Sequence, residues 1–120
     1  MKVAITSQGE SLESMLDQRF GRCGWFVVAD TEEGNWEAVS NEQNLSSAQG
    51  AGIQSAETVC RCGAEAVITG HVGPKAFKVL NAAGIKVYCC TGGTVAEALE
   101  KFKKGELKET LEANVEGHWI

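Results

Sequence analysis

Long hydrophobic runs are missing from this chain of 120 residues. The longest apolar stretches, such as Trp25 to Ala29, are far shorter than a bilayer span. Met1-Lys2 leads directly into Val3-Ala4-Ile5, which leaves no room for a secretory leader, so a cytoplasmic protein is expected. An excess of positive charge is also lacking: 11 Lys and Arg face 16 Asp and Glu, for a net charge of −5. That argues against a general binder of nucleic acid or of anionic membranes. Internal repeats and low-complexity segments are absent, and no pair of cysteines has the C-x-x-C spacing of redox or zinc sites.

What is present suits one domain. The length fits a single core, and 43% hydrophobic residues are enough to build it. Five cysteines, Cys23, Cys60, Cys62, Cys89 and Cys90, are an odd and high number. In a reducing compartment they are thiols, available for packing, metal or reaction.

The pattern alternates strands and helices. Lys2 to Thr6 reads as a strand, followed by the turn formers Ser7-Gln8-Gly9, and Glu10 to Gln18 reads as a short helical turn. Trp25 to Asp30 is a continuous apolar run, consistent with a buried strand. Glu32-Glu33-Gly34-Asn35 signals a hairpin into Trp36 to Ser40. Apolar residues recur at helical spacing from Gln49 to Cys62, and Ala66 to Thr69 is a short strand. Pro74 opens a helix that stops before Gly84, and Ile85 to Cys89 is the fifth strand. Thr94 with Glu97 forms a capping box for a last helix ending at Gly105. Residues 106–120 read as a charged tail with the unusual ending Gly117-His118-Trp119-Ile120. The order predicts an α/β fold with a five-stranded mixed sheet, strand order 3-2-1-4-5, strand 2 antiparallel, flanked by about three helices.

In such a sheet ligands bind beyond the carboxyl ends of the parallel strands, where the order reverses. Ser7-Gln8-Gly9, Arg19 to Cys23, Asn41 to Gly52, Gly70 to Gly73 and Thr91 to Gly93 all reach that edge. It gathers two arginines, a cysteine, a histidine, several glycines and three helix N-termini, which together suit a sizeable anion. Candidate cofactor contacts are Ser7, Arg19, Gly21, Arg22, Asn44, Gly52, Gly73 and Gly92. His71 is either a loop histidine or a metal ligand. Cys23 is either a thiolate favoured by the nearby arginines or a buried strand residue. Cys89 and Cys90 alternate across the strand end, so one is buried and the other faces the site; Cys90 joins His71 and Cys23 as a candidate ligand. Cys60 and Cys62 fall at the opposite edge.

Taken in order, Lys2-Val3-Ala4-Ile5, Arg19-Phe20-Gly21-Arg22, Gly50-Ala51-Gly52-Ile53, Gly70-His71-Val72-Gly73-Pro74-Lys75-Ala76 and Gly93-Thr94-Val95 resemble the dinitrogenase iron–molybdenum cofactor biosynthesis family across residues 1–105. The resemblance implies a ribonuclease-H-like, three-layer fold. It also implies a carrier or scaffold for a molybdenum- or iron-containing sulfur cluster, as in the family's orange protein, which holds a molybdenum–copper–sulfur cluster. A cofactor-synthesis or recipient protein is the implied partner, and a monomer without a catalytic centre of its own is expected. A nuclease is disfavoured because Val3-Ala4-Ile5-Thr6 carries no carboxylate to hold divalent metals. A small regulatory or protein-interaction domain without metal remains the alternative.

Overall fold

A computed structural model describes residues 1–42 and 51–113. Six strands and three helices of three turns or so follow one another among the described residues. They are β1 (Lys2–Ser7), β2 (Trp25–Asp30), β3 (Trp36–Ser40), α1 (Ala51–Arg61), β4 (Ala66–Thr69), α2 (Pro74–Ala82), β5 (Lys86–Cys89), α3 (Val95–Lys103) and β6 (Lys108–Thr110), with a 3-10 turn at Phe20–Arg22. The sheet order is β3-β2-β1-β4-β5-β6. β1, β4 and β5 run parallel, while β2 and β6 run against their neighbours β1 and β5.

The expected order 3-2-1-4-5 and the reversed second strand are therefore present, but the sheet has six strands rather than five. β6 lies within the segment read as tail. Its residues Lys108, Glu109 and Thr110 carry no apolar alternation, and they are ordered by backbone pairing to Cys89, Tyr88 and Val87. The other correction concerns Glu10 to Gln18, where a single turn, closed by the Ser14 amide donating to Ser11 O at 3.1 Å, is followed by extended chain rather than helix. Extended bridges tie Leu16 to Ser7, Met15 to Thr94 and Arg19 to His71.

Strand alternation explains the layering. Ala4, Phe26, Val28, Val67 and Val87 point to one face and pack with Ala56 and Val59 of α1 and Ala76 and Leu80 of α2. Val3, Ile5, Val27, Ala66 and Ile68 point to the other face and meet Val95 and Ala98 of α3. Both faces of the central strands are covered, so they read as continuous apolar runs. The result is three layers, with helices on both sides of one sheet. None of the helices among the described residues is long and apolar enough to cross a membrane.

Candidate functional site

The carboxyl ends of β1, β4 and β5 deliver their loops to one edge, and the segment 14–19 crosses it. Asp17 is fixed there by Thr6: the Asp17 amide donates to Thr6 O at 2.9 Å, and the Thr6 hydroxyl donates to Asp17 O at 2.6 Å. Two residues on, the His71 amide donates to Gln18 O at 2.6 Å and the Phe20 amide donates to His71 O at 3.0 Å. This parallel bridge sets Arg19 beside His71. It needs Gly70, because a Cβ there would lie 2.8 Å from Gln18 O and 3.0 Å from Gln18 Cα. Arg19 is exposed, whereas His71 is half-buried with its Nδ1 shielded from solvent.

Gly21 makes a second close approach. Its Cα side faces the start of α1, so that a Cβ would stand 3.0 Å from Gly52 Cα. Gly21 and Gly52 thus let the arginine-bearing turn Phe20–Arg22 lie directly on the N-terminal end of α1. Gly73 is the N-cap of α2, followed by Pro74, and no side chain caps that helix. The uncapped start of α2 and the residues Ala51 and Gly52 of α1 therefore flank the Arg19–His71 bridge and the Phe20–Arg22 turn, and a helix start of this kind suits negative charge.

The third helix start is different. The Val95 amide donates to Ser14 O at 2.9 Å and the Ala96 amide to Leu12 O at 2.8 Å. The capping box closes the rest, with the Glu97 amide donating to Thr94 Oγ1 at 3.1 Å and the Thr94 amide to Glu97 Oε1 at 2.8 Å. These bonds to the backbone and hydroxyl of Thr94 hold the Glu97 carboxyl below the usual glutamate range. The end of α3 is sealed, so two helix starts rather than three contribute to the edge. Gly92, on the exposed loop before it, leads only to this sealed end.

Several candidate contacts are displaced from their expected roles. Ser7 is buried, and its hydroxyl is used in a turn with Gly9, donating to Gly9 O at 2.6 Å and accepting from the Gly9 amide at 3.2 Å. Cys23 is completely buried; its thiol donates to Phe20 O at 3.2 Å. Burial, and then the Asp17 carboxylate, push that thiol far above its usual range, so the reading as a ready thiolate gives way to a buried residue just after the 3-10 turn and ahead of β2. Cys90 is buried too, in the apolar cluster beneath α3. The half-exposed thiol at this edge is Cys89, whose Sγ lies 3.6 Å from Gly70 O. Cys89 also borders a shallow groove of about 400 Å³ beside β6, with Lys108 and Leu111. Asn44 lies outside the described residues, as do His118 and Trp119.

Three residues at this edge are not singled out by the sequence. Cys89 was passed over for Cys90, and strand parity against Val87 is the signal that separates them. Asp17 was read as part of a helical turn. Asn41 is buried and ties the end of β3 to α1: its Nδ2 donates to Cys23 O at 2.9 Å and to Ser55 Oγ at 3.0 Å. Among the described residues no three His, Cys, Asp or Glu side chains converge as a metal-binding group. Asp30 and Glu65 sit at the opposite edge, by the start of β1, where Lys2 pairs with Asp30 and accepts from the Glu65 amide. Cys62 lies there as well, its thiol raised by burial and by Glu37.

A three-layer α/β domain with a glycine- and arginine-lined edge at the reversal of strand order defines the class of protein. The chain belongs to the family described as dinitrogenase iron-molybdenum cofactor, whose model matches residues 1–105. Among solved structures it is similar to the apo form of the orange protein from Desulfovibrio gigas. The identity is 39%, with 95% of this chain and 96% of that one covered and a TM-score of 0.93. It is also similar to a putative NifB protein from Thermotoga, with 42% identity, 97% and 98% coverage and a TM-score of 0.84. An uncharacterised protein of Methanocaldococcus jannaschii is 30% identical over 91% of both chains.

Proposed function

We propose that this protein is a carrier or scaffold that holds an anionic metal–sulfur cluster, containing molybdenum, iron or both, at the edge built by Arg19, Arg22, His71 and the starts of α1 and α2. The observation that carries this reading is the Arg19–His71 bridge set between two helix N-termini, in a chain whose family is named for the iron–molybdenum cofactor. The donor set favours a particular manner of holding. With Cys23 and Cys90 buried and no three ligating side chains converging among the described residues, a cluster is gripped by charge and by amide hydrogen bonds. His71 is the borderline ligand in direct reach. A molybdenum–copper–sulfur cargo, implied by the resemblance to the orange protein's family, is one option for this chain.

In this reading the chain performs no catalysis. It acts in the cytoplasm, as a monomer, between a protein that synthesises the cofactor and one that receives it. The strand order and the antiparallel β2 support a ribonuclease-H-like ancestry for the scaffold without its metal-binding carboxylates.

Anaerobic titration tests the proposal. Tetrathiomolybdate with and without copper(I), and a preformed iron–sulfur cluster, are added to low-micromolar protein while visible absorption is followed. A saturable, stoichiometric change is expected for at least one of them, weakened by salt and by the Arg19→Ala/Arg22→Ala double variant. No saturable change with any probe would sink the carrier reading and leave the metal-free interaction domain.

A further inference from the structure

The carrier edge is not purely basic. Asp17 is buried against it, with only 8% of its surface exposed, and its backbone is clamped at both the amide and the carbonyl by Thr6. Its Oδ1 accepts the Arg19 amide at 3.0 Å and lies 3.9 Å from Arg19 Nε. The Arg19 side chain is 53% exposed, so this ion pair is loose and solvent-screened. A pair that weak does not lock the guanidinium away from another anion. It does keep a fixed negative charge behind the arginine. The same carboxylate reaches inward as well, adding to the burial that keeps the Cys23 thiol protonated.

We propose that Asp17 is the resident counter-charge of this edge, a specificity-determining carboxylate that holds Arg19 in position and against which an anionic cargo must compete. The proposal rests on the carrier reading and adds what that reading leaves open, which is how the edge sets the charge of what it accepts. A fixed carboxylate repels an incoming anion in proportion to that anion's charge. Arg19 serves as the attractive partner only when the cargo draws it more strongly than Asp17 does. Asp17 therefore raises the threshold for every anion, and most for those of highest charge.

Charge proportionality gives the experiment a signature that a structural role lacks. Tetrathiomolybdate is a tetrahedral dianion, and tetrathiorhenate is a monoanion of the same shape. Both are titrated anaerobically into wild type, Asp17→Asn and Glu65→Gln. Asparagine keeps an acceptor for the Arg19 amide and removes only the charge. Glu65, exposed at the opposite edge, controls for net charge. Asp17→Asn is expected to tighten the monoanion about threefold and the dianion about tenfold, since the repulsion removed scales with ligand charge. Glu65→Gln should change neither by more than about 1.5-fold, because screening erases distant surface charge. In cargo-free protein, Asp17→Asn should also speed hydrogen exchange at the Arg19 backbone amide, whose charge-assisted bond to Oδ1 it weakens.

Equal changes for the two probes, or weaker binding of both in Asp17→Asn, would overturn the proposal. Unchanged exchange at the Arg19 amide would overturn its positioning half. If wild type binds neither probe, nor the copper- or iron-containing clusters, the carrier reading itself fails. The amide exchange still decides separately whether Asp17 holds Arg19.

Discussion

Gly21→Ala offers a direct test of how the arginine turn is seated on α1. The added methyl would stand 3.0 Å from Gly52 Cα, 3.1 Å from Gly52 N and 3.6 Å from the Ala51 carbonyl carbon. Carbon atoms in good contact sit about 3.5–4.0 Å apart, and these neighbours are backbone atoms that cannot swing away. The turn must therefore lift from the helix by about half an ångström. Overpacking of this kind costs about 1–3 kcal/mol. Alanine restricts the unfolded chain and returns about 0.4–1 kcal/mol, leaving a net loss of about 1–2 kcal/mol. At an unfolding entropy of about 2.1 cal/mol/K per residue, a chain of this length loses about 4–8 °C in Tm. Thermal melts followed by circular dichroism read this directly. Gly24→Ala is the control: it has nothing within 4 Å of its would-be Cβ and should melt at or slightly above the wild-type temperature. A Gly21→Ala protein that melts with wild type, or above it, would refute the close seating of the turn on α1.

Three further outcomes are expected. In native protein a thiol reagent should modify Cys60, Cys62 and Cys89 while Cys23 and Cys90, both buried, react only in denaturant; mass spectrometry showing Cys23 labelled as fast as Cys89 would contradict the site described above. Asn41→Ala should cost about 2–3 kcal/mol in urea unfolding, because it strands the buried Cys23 carbonyl and the Ser55 hydroxyl, and adding Ser55→Ala should cost less than the separate effects summed. Thr94→Ala should cost about 1 kcal/mol through loss of the cap. The Glu97 side of that box has a definite sign in pH: its carboxyl is lowered from 4.5, so the stabilisation is present above that value and is lost as pH falls through the folded pKa. Wild type should show this acid loss and Glu97→Gln should not.

Most of the architecture was legible because its signals are local. The short apolar runs Val3-Ala4-Ile5 and Trp25 to Ala29, Pro74 at a helix start, and the Thr94–Glu97 pair each specify their element through neighbouring residues. β6 was not legible. Three polar residues carry no facial pattern, and only the unpaired side of β5 makes them a strand. Residues 10–18 were legible only as far as the turn at Ser11–Ser14: spaced Leu12, Met15 and Leu16 resemble helix, whereas the backbone groups from Leu12 to Gln18 are taken by β1, α3 and the His71 segment. At the candidate edge the structure bridges Arg19 to His71 and makes close backbone approaches at Gly21 and Gly70. Which thiols face it was not legible, since Cys89 and Cys90 differ only in the parity of the strand they end. Cys23 follows two arginines in sequence, yet its side chain turns inward, where Asn41 and the Phe20 carbonyl receive it.

The seal on α3 has a consequence for the order in which the chain can mature. The carbonyls of Leu12 and Ser14 wait for amides at Ala96 and Val95, most of the chain's length away. On a ribosome the first loop therefore emerges long before its partners do, and its bridge to Thr94 cannot form until α3 has left the exit tunnel. The parallel contact of Arg19 with His71 is similarly deferred. Closing such distant pairs is slow because the loop entropy is paid before any contact forms. The N-terminal crossing segment is thus among the last pieces to settle, and a nascent chain stalled before α3 carries β1 and the β2–β3 hairpin without the edge that they support.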